Sequence, residues 1–352
     1  ETYNVAVGYS AGGAITTGNQ NTIIGGLAGD ALTTGAENVA VGYLALTGED
    51  GHGKNTAIGY ATLQNLNAGA DGFNTAVGHS AGVAVTTGVR NVLMGGLAGD
   101  ALTDADFNVA IGTSALTADT LGSRSVAIGD SALASQNRTT ATDVYNVGVG
   151  YNAGGNINTG TANTFVGGLA GDSATTGANS IIVGYNSDLS AADTAQIIVL
   201  GSGVTSQAAN NFTFGFGSTD SNIAFGATSI TAPSDERYKE NITDSTAGLS
   251  FINDLRPVTF QWKKEKDVPS DHKAYVEGSE DRVMQSQGEI NHGFIAQEVK
   301  AAINNHAELK DGFGMWSEDP VDGRQRLGDG ALIPILVKAI QELSAEIETL
   351  KG

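Results

Sequence analysis

Apolar and small residues alternate in short segments that return at a nearly constant interval through the first 190 residues. Each segment reads polar, apolar, small, apolar, glycine, as in Asn4-Val5-Ala6-Val7-Gly8 and Asn108-Val109-Ala110-Ile111-Gly112. Alternation with a period of two is typical of a β-strand. The copies end on Gly8, Gly25, Gly42, Gly59, Gly78, Gly95, Gly112, Gly129, Gly150, Gly167 and Gly184. Their steps are 17 residues except for one of 19 and one of 21, which predicts a solenoid of eleven rungs.

The residue between the two apolar positions of each segment is usually alanine, as at Ala6 and Ala57. Such a small face suits the close approach of another backbone. Alanine also follows most anchor glycines by three residues, so a second short strand or a turn is expected there. The rungs are also grouped into a longer repeat of four rungs, because the sequence of Gly25–Asp30 returns at Gly95–Asp100 and Gly167–Asp172. At about 4.8 Å per rung, the shaft would be on the order of 50 Å long.

The repeat pattern is lost between Asp193 and Thr231, where we predict a β neck over residues 191–233. Ile197–Leu200 is a strand candidate. Phe212, Phe214 and Phe216 alternate with other residues, which suggests strands that bury one face. Two interpretations stay open: three chains interlock here, or a small β layer caps the end of the solenoid.

Composition changes at residue 234 and divides the chain into two parts. Residues 1–233 hold 39 of the 49 glycines and only four Lys or Arg against 16 Asp or Glu. The whole chain has a formal net charge of −20, which argues against a nucleic-acid partner. There is no cysteine, and no apolar run reaches the ~18 residues of a membrane span. The chain opens inside a repeat without a signal peptide, so we expect a fragment of a longer protein.

The second part reads as a small α+β domain. Leu255–Lys263 alternates like a strand, residues 265–291 read as a long loop or hairpin, and Gly293–Val299 leads into a short helix ending near Ile303. Residues 332–351 are helical with a heptad repeat, which predicts self-association as a coiled coil. The predicted seam consists of Ile333, Leu336, Ile340, Leu343, Ile347 and Leu350.

Four motifs occur in order in this part: Ser234–Ile242, Pro257–Trp262, Gly293–Val299 and Leu332–Leu343. In these motifs the chain resembles the self-cleaving intramolecular chaperone at the C-terminus of phage tailspikes, endosialidases and tail fibres. The resemblance implies that residues 234–352 trimerise, template the folding of the fibre upstream and then cut themselves off before the motif serine. Ile and Leu in this seam nominally favour two strands, but we follow the trimeric family.

The repeats of residues 1–190 resemble the head repeats of trimeric autotransporter adhesins, whose pattern reads roughly Asn-Ser-Val-Ala-Ile-Gly. That resemblance implies a left-handed parallel β-roll with three chains side by side, although the rungs here are a few residues longer. The expected fold class is therefore mainly β: a trimeric parallel β-solenoid shaft followed by a small α+β chaperone domain that ends in a coiled-coil helix.

The chaperone resemblance also implies a catalytic pair, with Ser234 as nucleophile and Lys239 as general base. Ser234 would attack the carbonyl of Pro233, so that the scissile bond is Pro233–Ser234. Asp235 and Arg237 match the motif too and would hold the turn by a salt bridge. A serine needs such a base, and a lysine can act as one if its pKa is lowered. The spacing of a Ser and a Lys by five residues would by itself indicate nothing.

No cofactor or metal is expected. Asp30, Asp100 and Asp172 follow glycine-rich turns, and two interpretations are open: turn formation, which we favour, or binding of a metal or ligand. The five histidines are scattered along the chain, without a metal-ligand spacing. No Gly-Lys-Ser/Thr follows the glycine-rich segments, so they are not phosphate loops.

Together these features predict a homotrimeric phage tail fibre or spike that attaches to a host receptor, either a glycan or a surface protein. Other tail proteins would bind upstream, and the protein would be made in the host cytoplasm and act on the virion. Loops at Glu49–Lys54, Asn67–Phe73 and Ser135–Tyr145 are the candidates for receptor contact. The alternatives are a bacterial trimeric surface adhesin, a spike that degrades carbohydrate, and a fibre whose C-terminal domain is a cap that does not cleave.

Overall fold

The computed structural model describes residues 2–284, 289–310, 312–320 and 323–352. The chain forms two compact units, of which the first ends at Asp235 and the second runs from Glu236 to Gly352. The strands of the first unit are β1 (Val5–Val7), β2 (Thr22–Ile24), β3 (Val39–Val41), β4 (Thr56–Ile58), β5 (Thr75–Val77), β6 (Val92–Met94), β7 (Val109–Ile111), β8 (Gly122–Ser123), β9 (Val126–Ile128), β10 (Thr142–Asp143), β11 (Val147–Val149), β12 (Thr164–Val166), β13 (Ile181–Val183), β14 (Ile197–Ser202), β15 (Asn211–Phe216) and β16 (Thr219–Ala224).

The first unit is a parallel β-solenoid, as predicted. Fourteen of its strands form one sheet in chain order, while β8 and β10 pair separately. Neighbouring strands are parallel and in register, so that Val5 pairs with Thr22 and Thr22 with Val39. Each rung therefore adds one short strand to the sheet. The handedness implied by the adhesin resemblance stays a prediction.

The solenoid continues beyond the eleven predicted rungs. Ile181 pairs in parallel with Ile198, which in turn pairs with Phe212. The expectation that the period is lost after Asp193 is therefore not met, since Ile197–Gly201 is a further copy of the anchor pattern. Only the final pair, β15 with β16, is antiparallel, and it ends the sheet as a hairpin.

The small middle residue of each strand lies inside the solenoid. Ile23, Ala40, Ala57 and Leu93 are fully buried, whereas the residues on either side of them face outward. The small face thus packs inside its own solenoid rather than against another chain. The segment after each anchor glycine is a turn, and its alanine, such as Ala28, is also buried.

Anchor glycines allow the rungs to stack closely. Gly95 has a φ of +140°, and a Cβ placed on it would lie 2.4 Å from the carbonyl oxygen of Gly112. A side chain is excluded on both counts, because L-residues rarely adopt this φ and the neighbouring backbone leaves no space. The same geometry recurs at the anchor glycines along the sheet.

A ladder of buried asparagines, which the sequence analysis did not identify, connects the rungs just before most of the strands. Asn91 is typical: its Oδ1 accepts a hydrogen bond of 2.9 Å from the backbone N–H of Asn108, and its Nδ2 donates one of 2.7 Å to the carbonyl of Ala105. Ser125 interrupts the ladder. There the amide of the buried Gln136 bonds to the Ser125 hydroxyl and accepts from Asn146, so the polar chain stays satisfied.

The second unit is a small α+β domain built on three helices. Its elements are α1 (Leu249–Asp254), β17 (Val258–Phe260), β18 (Asn291–Gly293), α2 (Ala296–Asn305), β19 (Trp316–Glu318), β20 (Gln325–Leu327) and α3 (Leu332–Lys351). The pairs β17–β18 and β19–β20 are antiparallel. The predicted strand and both predicted helices are present, and four residues of the predicted loop, 285–288, lie outside the described residues.

Candidate functional site

The segment that leads to the predicted scissile bond is attached to β16. Thr231 and Asn222 exchange backbone hydrogen bonds of 2.7 and 2.8 Å, and the Thr231 hydroxyl donates to Asn222 Oδ1 at 2.9 Å. Beyond this bridge the chain carries no regular secondary structure through Pro233 and Ser234, and both residues are exposed. The predicted scissile bond, Pro233–Ser234, thus begins two residues after the Thr231 bridge.

A single 3-10 turn, Glu236–Tyr238, opens the second unit. The backbone N–H of Lys239 donates a 3.0 Å hydrogen bond to the carbonyl of Glu236, which closes this turn. The Lys239 side chain is exposed, as is that of Arg237. Ser234 and Lys239 lie on opposite sides of the boundary between the two units. Their roles as nucleophile and base, and those of Asp235 and Arg237, stay predictions.

The core of the second unit is an apolar cluster between α1, α2 and α3. Phe251 and Met315 are fully buried in it, and Ile303 and Ile335 are nearly so. Glu342 of α3 also reaches α1, because its carboxylate accepts a 2.8 Å hydrogen bond from the backbone N–H of Leu249. This carboxylate satisfies one unpaired amide at the start of α1. Sequence reasoning missed it, because the two residues are far apart in the chain.

His306 connects α1 to the segment after α2. Its Nε2 lies 2.9 Å from Asp254 Oδ2, its Nδ1 lies 3.2 Å from Glu308 Oε1, and its ring meets the edge of Phe251. The hydrogen bond with Asp254, more than the other neighbours, raises the pKa of His306 above its usual value. The imidazolium form therefore suits this position better than the neutral ring.

Helix α3 has two apolar faces, and only one belongs to the core of its own chain. Leu332, Ile335 and Ala339 are buried against the second unit. The predicted seam lies beside this buried face and is exposed in the single chain: Ile333 by 63%, Leu336 by 41%, Ile340 by 64%, Leu343 by 41%, Ile347 by 49% and Leu350 by 86%. Exposed apolar surface of this extent is typical of a protein interface.

The shaft also exposes an apolar column, formed by the residue before each anchor glycine and before the equivalent Gly201 and Gly215. We call it the outer column; its members include Val7, Ile24, Val41, Ile58, Val77, Met94, Ile111, Ile128, Val149, Val166, Val183, Leu200 and Phe214. Alternate members, such as Ile24, Ile58 and Met94, are 38–40% exposed. The phenylalanines of the predicted neck extend the outward face of the sheet rather than burying it, because Asn211 and Thr213 are the inward residues of β15.

A second column lies five residues before the anchor glycines, at one edge of the outward strand face. We call it the edge column; over six consecutive rungs it consists of Lys54, Phe73, Arg90, Phe107, Arg124 and Tyr145. All six have a positive φ, between +49° and +64°. Sequence reasoning missed this column, although the constant offset from each glycine would have revealed it. Three of its members end the loops predicted to contact a receptor.

Buried carboxylates in the shaft hold loops rather than substrates. Glu49 accepts hydrogen bonds from the backbone N–H groups of His52 and Ala68, and Asp119 accepts from those of Gly122 and Arg138. These two acids are equivalent positions of the four-rung repeat, and each ties its loop to the next rung.

The predicted turn aspartates also bond within the shaft. Thr47 donates to Asp30, and Thr117 donates to Asp100 over 2.5 Å. Burial and the neighbouring Asp188 raise the pKa of Asp172. Within the described residues, the group whose ligand atoms lie close enough for a metal ion is Glu49, Asp50 and His52. Because both oxygens of Glu49 already accept backbone hydrogen bonds, this group carries no metal assignment.

Comparison with known families gives a match that lies almost entirely in the second unit. A family model described as chaperone of endosialidase matches residues 234–308, about a fifth of the chain, and the match begins at Ser234. No curated protein and no solved structure matches the chain. No described helix is both long and apolar enough to cross a membrane. The match and the β-solenoid that precedes it fit a tail fibre with a C-terminal chaperone domain.

Proposed function

We propose that this chain is part of a homotrimeric phage tail fibre that attaches to the host surface. Its second unit would bring three chains together, template the shaft and then be released by cleavage between Pro233 and Ser234. The observation that carries this proposal is the family match that begins at Ser234, at the end of a β-solenoid. The site of action would be the virion.

Two exposed apolar surfaces support assembly. The seam of α3 and the outer column of the shaft each leave a row of large apolar side chains in water in the single chain. Removing such surface from water stabilises an assembly by roughly 25 cal/mol per Å². The chaperone family implies a trimer. A coiled coil of three α3 helices would bury both the Ile and the Leu side chains of the seam.

The chemistry of release needs only Ser234, Lys239 and water. Lys239 removes the proton of the Ser234 hydroxyl, and the oxygen attacks the carbonyl carbon of Pro233. The C–N bond then breaks, the nitrogen of Ser234 takes up a proton, and Pro233 is left as an ester on the Ser234 oxygen. Water hydrolyses this ester, which gives a carboxylate at Pro233 and restores the hydroxyl of Ser234.

Assembly would switch this chemistry on. A lysine acts as a base near neutral pH only when burial or a nearby cation lowers its pKa. Lys239 is exposed in the single chain, so a folded but unassembled chain offers it no burial. Contact between three chains would supply the missing burial. Cleavage would then follow correct assembly and not precede it.

Attachment to a surface suits the shaft better than degradation of a polysaccharide. Glycosidases need a pair of carboxyl groups facing one cleft. The fully buried carboxylates Glu49 and Asp119 are instead engaged by backbone N–H groups of their own loops. We therefore assign the shaft a binding role.

Intact mass spectrometry under denaturing conditions tests the proposal. Freshly purified wild-type protein should give two polypeptides, residues 1–233 and 234–352. The variants Ser234→Ala and Lys239→Ala should each give one full-length chain, because either change removes one partner of the acyl transfer. Lys263→Ala, at a lysine outside the motif, is the matched control and should cleave like the wild type.

A wild-type protein that is trimeric but stays whole would show that the second unit is a permanent cap. Cleavage that persists in Ser234→Ala would assign the cut to another protease. A monomeric wild-type protein would contradict the fibre assignment itself.

A further inference from the structure

Basic residues of the shaft are concentrated in one place. Residues 1–233 contain four cationic side chains, and three of them, Lys54, Arg90 and Arg124, stand in the edge column. The fourth, Arg138, lies elsewhere in a loop insertion. Since the same part of the chain carries 16 acidic residues, general attraction for anions is unfavourable. Any anion that binds the shaft would therefore bind along this column.

Folding alone does not explain the residues of the edge column. Its left-handed backbone favours Gly, Asn or Asp, and the four later rungs carry small or polar residues there: Ala162, Asn179, Gln196 and Asn210. The middle rungs instead place Phe73, Phe107 and Tyr145 there, exposed by 49%, 37% and 55%. Large residues held in a strained conformation and left exposed indicate selection for function.

The aromatic rings hold the cations in place. The Arg90 guanidinium lies 5.2 Å from the centre of the Phe107 ring, and that of Arg124 lies 4.6 Å from the same ring. The Lys54 ammonium lies 5.1 Å from the centre of Phe73. These separations fall within the range of cation–π attraction. Restricting such long side chains before a ligand arrives lowers the entropy cost of binding.

Arg90, at the middle of the column, is the cation available to a ligand. Lys54 pairs with Asp71 at 2.6 Å, and Arg124 pairs with Asp143 at 2.9 Å. Among the residues that the structure describes, Arg90 has no such ion pair. Its planar guanidinium can accept a carboxylate in two parallel hydrogen bonds.

The spacing of the column suits a linear acidic polymer that runs along the shaft. Cations recur every second rung, or about 10 Å at the usual strand separation. A polysaccharide with a carboxylate on alternate sugars repeats over a comparable length. The partly exposed rings of Phe73 and Phe107, which stand between the cations, offer apolar contact to the C–H groups of the sugars. Nucleic acid fits less well, since its dense phosphates would face the acidic shaft.

We propose that the edge column binds a carboxylate-bearing polysaccharide, with Arg90 as the main anion contact and Phe73 and Phe107 as flanking contacts. This inference rests on the proposed attachment function and names the class of receptor. It places the contact on the column itself, at the ends of the loops Glu49–Lys54, Asn67–Phe73 and Ser135–Tyr145.

Binding of the purified, assembled protein to immobilised hyaluronate, polygalacturonate and alginate tests the inference, with neutral dextran as the reference polymer. At least one acidic polymer should bind, more weakly as salt rises, and dextran should not. Arg90→Gln should weaken that binding by about tenfold or more, because a charge-assisted contact is lost. Phe107→Ala should also weaken it. Asn158→Asp makes the same change of net charge at an exposed position outside the column and outside the three candidate loops, and it should bind like the wild type.

Each variant is checked for trimer formation and cleavage in the same preparation. An intact trimer that binds none of the three acidic polymers overturns the inference and leaves the fibre assignment standing. Equal losses in Arg90→Gln and Asn158→Asp would show non-specific attraction and overturn it as well. If Arg90→Gln instead splits the trimer, the column is an interface between chains and not a receptor site.

Discussion

Anchor glycines and ladder asparagines set the distance between consecutive rungs of the shaft. Each glycine lets one backbone approach the next, and each asparagine satisfies buried backbone groups that would otherwise lack partners. Both residue types act at every level of the solenoid, so single substitutions should have large and local effects.

Gly95→Ala should destabilise the shaft by about 2–4 kcal/mol per chain, because it combines a clash with strain in φ. The added Cβ would lie 2.4 Å from the Gly112 carbonyl oxygen. Its neighbour Gly96 has no atom within 4 Å of an added Cβ, and Gly96→Ala should change stability by less than about 0.5 kcal/mol. Denaturant unfolding of both variants measures the difference, and equal effects would refute this account of the stacking.

Asn91→Ala should cost about 1–3 kcal/mol per chain, since it leaves the buried N–H of Asn108 and the carbonyl of Ala105 without their side-chain partner. Asn65 is exposed, so Asn65→Ala is a suitable control. Hydrogen exchange should show faster exchange at Asn108 in the first variant alone. Unchanged exchange there would mean that the ladder does not hold the rungs.

His306 should make the second unit more stable at lower pH. Its pKa is raised in the folded state, chiefly by Asp254, so its stabilising effect is full below the unfolded value of about 6.5 and is lost as pH rises through the folded pKa. Trp262 and Trp316 are the two tryptophans of the chain, and both lie in the second unit. Their fluorescence therefore follows the unfolding of this unit, whether or not it has been cut from the shaft.

The unfolding midpoint of the wild type should fall from pH 6 to pH 9, and this dependence should be weaker in His306→Gln. His292→Gln, at an exposed position of β18, is the control and should keep the wild-type profile. An unchanged profile in His306→Gln would assign the dependence to other groups.

At the scale of the element, α3 divides its apolar residues between the core of its own chain and a surface that needs a partner. Ile340→Lys places a charge in the predicted seam and should prevent trimer formation and, with it, cleavage. Ala345→Lys makes a similar change on an exposed position outside the seam and should assemble normally. Sedimentation and the fraction of cleaved chains measure the two effects together. Full cleavage in a monomeric Ile340→Lys protein would show that cleavage does not depend on assembly.

Periodicity along the sequence predicted the strands, their order and the helices α2 and α3, because each rests on local patterns of apolar residues. It did not predict which face of a rung lies inside. A period of two places residues such as Ala57 and Ile58 on opposite faces without saying which face is buried. The contact of Glu342 with Leu249 was missed for another reason, since it joins residues far apart in the chain.

At the scale of the whole molecule, the two units differ in the kind of contact on which they depend. The shaft consists of parallel strands paired across 14 to 21 residues, and interfaces between chains would add contacts more distant still. Such folds form slowly and expose strands that aggregate. A second unit that assembles first raises the local concentration of the three shafts. Removal of the second unit then leaves a fibre that is kinetically stable against unfolding.

The most direct test compares one polypeptide made in two ways. Residues 1–233 released by self-cleavage of the full-length chain should form a trimer that resists detergent and heat. The same residues expressed alone, without the second unit, should be monomeric or aggregated, although the covalent structure is identical. If both preparations give the same stable trimer, the second unit is not a chaperone for the shaft, and the central claim is wrong.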